Sequence, residues 1–198
     1  MQELNFYSKG TIGTGEYGAI KIDGVVSCTG DLKTTSIEIN GVFKCHGKIE
    51  TSILQCDGVA KFHSDISAAE VIVDGALKAT RLNAEKIKCD GFITAAGEIS
   101  ADIVNANGCI NAKEIVGDSI TINSHFSKFA TFFMRKTSAI ALIEATVIEL
   151  RGVTAQTVNG HNIIIGPYCH INNLDCSGTL SIDRKARVKN ISGEYTVK

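Results

Sequence analysis

The chain has 198 residues, 44% of them apolar and 21% charged, with a formal net charge of −1. That composition suits a globular protein with one sizeable core and excludes disordered and collagen-like chains. Lys and Arg are scattered and nearly balance Asp and Glu, so no basic footprint for nucleic acid is present. The longest apolar run falls far short of the ~20 residues that cross a bilayer, and no secretory leader is read at the start. The seven cysteines, Cys28, Cys45, Cys56, Cys89, Cys109, Cys169 and Cys176, are odd in number and mostly share positions with aliphatic residues. This predicts reduced core thiols in a cytosolic protein rather than a disulfide scaffold.

Residues 1–18 contain Gly10, Gly13, Gly15 and Gly18 and predict a flexible lead, with a small apolar cluster at Leu4, Phe6 and Tyr7. Residues 19–124 predict regular coils. Asp23-Gly24, Asn40-Gly41, Asp57-Gly58, Asp74-Gly75, Asp90-Gly91 and Asn107-Gly108 fall 17, 17, 17, 16 and 17 residues apart. Each pair follows an apolar-x-apolar tripeptide, so a period-2 strand feeds a turn whose Asx and Gly tolerate positive φ. The first apolar column is Ile20, Ile37, Leu54, Val71, Ile87, Val104 and Ile120, and the second runs from Ile22 to Ile122. Beyond each Gly a further wall begins at Val26, Phe43, Ala60, Leu77, Ile93 and Ile110, and a third starts at Leu32, Ile49, Ile66, Leu82, Ile99 and Ile115. Three short strands per coil, alternating inward and outward, close a triangular tube. No 3.6-residue period persists for more than a turn. The expected fold is all-β, a single-stranded parallel β-helix with 16–17-residue coils, one continuous domain over 19–198.

Residues 125–146 break the rhythm and predict an irregular insertion, a hairpin or extra strand. Phe126, Phe129 and Phe133 within it are candidates for lateral contact between assembled chains. Coils resume over 147–198, with Ile163, Ile165, Leu174, Cys176, Val188 and Ile191 in apolar positions.

No catalytic constellation stands out. The five histidines lie at no paired metal spacing, and Cys169-His170 with Cys176 falls below a zinc signature. Asp57, Asp74 and Asp90 stack on successive coils, yet side-chain capping of the turns accounts for Asx before Gly without an ion. No phosphate-binding loop is present. The expectation is no enzyme, no metal and no cofactor. A β-helix leaves unpaired N–H and C=O groups at its ends, and no capping helix is read. Ends that pair with another copy would continue the stack into a homopolymer.

The apolar-x-apolar-Asx-Gly coils from Ile20 to Ser124, opened by Tyr17-Gly18-x-Ile20-x-Ile22-Asp23-Gly24, resemble the bactofilins, the polymer-forming cytoskeletal proteins of bacteria. The late Ile148-Glu149-Leu150-Arg151-Gly152 and Ile163-x-Ile165-Gly166 suggest a Bacillus-type branch. The resemblance implies a right-handed solenoid and nucleotide-independent filaments built through terminal coils, here at Ile20, Ile22, Val188 and Ile191. It also implies a cytoplasmic scaffold for cell-envelope proteins, peripheral at the inner face of the membrane through an N-terminal tail, here Leu4, Phe6 and Tyr7. The competing reading is a left-handed β-helix acyltransferase with hexapeptide repeats, His161 or His170 serving as base.

Overall fold

A computed structural model describes residues 2–124 and 138–198. Among them there is no helix, and twenty strands wind into a parallel β-solenoid of about 11 turns. Every coil-to-coil pairing among the described residues is parallel, and the register is continuous except for one shift between Gly160 and Asn162, where the partner strand carries an extra residue. Ile20 lies beside Ile37, Ile37 beside Leu54, and Leu54 beside Val71. The column continues through Ile87, Val104 and Ile120 to Ile148. Burying each aliphatic side chain of this kind contributes about 1.5–3 kcal/mol, and the repeated columns merge into one core running the length of the tube.

Three walls follow from the burial pattern. Four-residue strands such as Val42–Cys45 and Val59–Phe62 form one wall, with alternate side chains inward. The eight-residue strands, such as Ile49–Cys56, form the other two. Their inward alternation is interrupted by two consecutive outward residues, Ser52 and Ile53, where the strand bends around a corner. The remaining corners are the Asx-Gly turn and the short link ahead of Leu32, Ile49, Ile66 and Leu82. Coil lengths vary mostly at that link: Asp65 is followed by Ile66, whereas Arg81 already precedes Leu82 after one residue fewer.

Two expected boundaries are corrected. The lead expected over 1–18 is not free where it is described, because Leu4–Phe6, Gly10–Ile12 and Gly15–Glu16 pair with Ile20–Ile22, Val26–Cys28 and Leu32–Lys33 as a full coil. The glycines concealed it, since Leu4-x-Phe6 stands sixteen residues before Ile20-x-Ile22 without an Asx-Gly pair behind it. The coils also resume at Ser138 rather than at residue 147, with Ser138–Arg151 lying parallel to the strand before it. Ser138 is fully buried there: its Oγ accepts the Ile110 N–H at 3.0 Å and lies 2.7 Å from Ser124 Oγ. A hydroxyl thus satisfies a buried backbone donor at the restart. Phe126, Phe129 and Phe133 lie outside the described residues.

Candidate functional site

The six Asx-Gly turns stack into one edge of the tube, but not for the expected reason. Among the described residues the glycines with positive φ are Gly152 (66°) and Gly193 (99°), and none of the six. The constraint is close approach instead. A Cβ on Gly41, Gly58, Gly75, Gly91 or Gly108 would fall closer than 3.0 Å to the carbonyl oxygen of the turn glycine one coil earlier. The backbones can approach because two consecutive N–H groups share one acceptor: Asp57 and Gly58 both donate to Ile39 O at 2.9 Å. Asp74 and Gly75 repeat this on Cys56 O, as do Asp90 and Gly91 on Val73 O. The Asx side chains are therefore released from capping and bond along the edge, Asn40 donating to Asp23 at 2.7 Å and Asn107 to Asp90 at 3.0 Å. Asp57 accepts from Gln55, and Asp90 faces Lys88 at 3.5 Å. No group of three metal-type ligands occurs among the described residues.

The link corner carries a groove of about 640 Å³ along six coils. Two ion pairs cross between its coils, Lys33 with Glu50 at 3.3 Å and Arg81 with Asp65 at 2.5 Å, and the Lys48 backbone N–H donates to the Asp31 carboxylate at 2.7 Å. The Arg81 guanidinium holds the Asp65 carboxyl below its usual range. Among the described residues no nucleophile hydrogen-bonded to a base is assembled there. On the short-strand wall His46 and His63 stack at 4.5 Å, nearly parallel, and His63 is held below the usual histidine range by desolvation and then by Lys61. His161 Nδ1 lies 3.1 Å from Ser177 Oγ in a second open groove, while His170 is exposed on another strand.

All seven cysteines are buried. Burial pushes the Cys45, Cys56 and Cys89 thiols up to about 12. An acid whose folded pKa lies above its unfolded value of about 8.5 stabilises the fold below that value and loses the contribution as pH rises toward 12. Urea midpoints should therefore fall between about pH 9 and 11. A Cys45→Ala, Cys56→Ala, Cys89→Ala variant should show a shallower fall, and an unchanged slope would refute the assignment.

The solenoid's open edges are the remaining site. Leu4–Phe6, Gly10–Ile12 and Gly15–Glu16 pair only with the coil that follows them, and Arg187–Ser192 and Thr196–Val197 only with the one before, among the described residues. This corrects one end of the expected interface. Ile20 and Ile22 are 1% and 0% exposed because Leu4 and Phe6 lie directly on them. The groups facing outward at that end are those of the first coil. At the other end Val188 and Ile191 do belong to the outermost long strand, with Ile191 43% exposed. Leu4 and Phe6 pack against the core, so of the expected membrane tail only Tyr7 stands free.

The fold thus defines an all-β solenoid protein. YhbE of Bacillus subtilis (strain 168), described as an uncharacterized protein, is 46% identical over 48 residues. That stretch is 24% of this chain and 20% of YhbE, so the chain matches about a fifth of that protein's length. No family model and no solved structure matches the chain.

Proposed function

We propose that this chain is a structural, bactofilin-type protein that self-assembles end to end into filaments without nucleotide and scaffolds other proteins in the bacterial cytoplasm. The observation that carries this reading is the sameness of the coil interface. A parallel ladder repeats coil after coil over residues 4–124 and 138–191, with one register shift between Gly160 and Asn162, and each edge offers strands that pair on one side only among the described residues. An edge of this kind is a template for strand addition, and a head-to-tail contact of unlike ends leaves an open chain rather than a closed ring. Recruitment to the inner face of the membrane belongs to the polymer, where weak contacts such as Tyr7 multiply.

Negative-stain microscopy of the purified chain without nucleotide should show filaments one solenoid wide. Val188→Lys with Ile191→Lys places two ammonium groups on the outermost coil. It should raise the critical concentration about tenfold, equivalent to about 1.4 kcal/mol. Monodisperse particles from the unmodified chain at high concentration would contradict the proposal. Saturable coenzyme A binding lost on His161→Ala or His170→Ala would favour the acyltransferase instead.

A further inference from the structure

Among the described residues six acid–base pairs occupy the surface of the tube, and none of them lies on the short-strand wall. Lys44, Lys61 and Lys78 stand there in register on three successive coils, all exposed. None has a carboxylate within salt-bridge distance among the described residues. Two residues before each, on the same outward face, Val42 and Val59 are 42% and 50% exposed, and Val25 extends the row at 53%. The wall is thus a flat face with one apolar row and one uncompensated cationic row. His63 is held below the usual histidine range first by desolvation, and Lys61, His46, Lys44 and Lys78 lower it further.

The corner between the other two walls lies across the triangular section from this face, and it carries the opposite pattern. Glu85, Asp102 and Asp118 are the first of the two outward residues at that corner on three successive coils. All three are exposed and none is in an ion pair among the described residues. Lys86 beside them is engaged by Glu70 at 3.8 Å. Ile103, next to Asp102, is 41% exposed, and Val147 continues its row at 44%. Both charge rows advance by one residue per coil, about 4.8 Å. Three cations and three anions therefore have the same period and the same length.

We propose that two copies of this chain bind side by side, the Lys44–Lys61–Lys78 row of one against the Glu85–Asp102–Asp118 row of the next. Equal spacing lets all three pairs close together, with the valine row packing on Ile103 and Val147. The two rows lie on opposite sides of the tube, so the contact is heterologous and propagates into a flat array. It requires no pairing of solenoid ends and stands apart from end-to-end assembly. The pairs are solvent-facing, so the association weakens as salt shortens the screening length.

The test uses the full chain with the Val188→Lys, Ile191→Lys background to suppress end-to-end growth. Sedimentation velocity at about 50 and about 500 mM NaCl should show association only at the lower salt. Lys44→Glu, Lys61→Glu, Lys78→Glu should weaken it at least about tenfold, and so should Glu85→Lys, Asp102→Lys, Asp118→Lys. Mixing the two triple variants should restore it, because each then meets an opposite row. Zero-length carbodiimide cross-linking of the unmodified chain should join Lys61 to a member of the acidic row, a readout independent of how the variants fold. Three results overturn the proposal: no cross-link between the rows, no recovery on mixing, or a lysine triple that loses only binding to phosphatidylglycerol vesicles while sedimentation is unchanged.

Discussion

Gly58→Ala is expected to destabilise the solenoid by about 3 kcal/mol, with Tm lowered by about 6–12 °C for a chain of this size. The new methyl group would collide with the carbonyl oxygens of Gly41 and Asn40, both closer than 3.0 Å and both backbone atoms. No rotamer change relieves such a clash. Moving the turn away would lengthen the hydrogen bonds that Asp57 and Gly58 share on Ile39 O, and would disturb Gly75, which approaches Gly58 O from the next coil. Gly13→Ala is the control. Nothing lies within 4 Å of its Cβ, so stability should change by less than about 0.5 kcal/mol. Thermal unfolding of the two variants decides the matter: equal Tm values would show that the turns open without cost.

Phe43→Ala should cost about 3–5 kcal/mol, read as a lowered urea midpoint. Phe43 is 0% exposed and meets Phe62 edge to face, centroids 5.7 Å apart. Its place depends on small neighbours. Ala60 lies directly beside Phe43 in the next coil, and Cys45 beside Phe62, so each phenyl group fills volume that its column neighbour leaves open. Removing Phe43 leaves Phe62 without its ring partner and Ala60 facing a void. Phe43→Leu should recover most of the loss, to within about 1.5 kcal/mol of the original. A Phe43→Ala variant no weaker than Phe43→Leu would mean that the bore collapses freely, against the close packing of protein interiors.

The registers of Ile20 through Ile120 were legible because side chains alternate with a period of two, while Asx-Gly pairs mark each coil at nearly constant spacing. Where either signal lapsed, so did the reading. The first coil has Leu4-x-Phe6 but Ser8 in place of the turn glycine, and its many glycines resemble a linker until Ile20 and Ile22 are seen to need a cover. Residues 138–146 read as part of an insertion because the interruption before them had erased the count. Pairing with 110–118 restores it.

The surface rows illustrate the same division. Lys44, Lys61 and Lys78 are 17 residues apart and visible in the sequence, but their lack of carboxylate partners is not, since Lys21, Lys33 and Lys88 look the same until their neighbours are placed. The sequence alone determined the repeat, the inward columns and the parallel solenoid, because burial alternates locally and each coil restates the pattern. Only the tertiary structure decided why glycine fills the turns, where the stack begins, and which charges remain unpaired. Those properties depend on distances between residues one coil apart, which the chain brings together only after it has wound.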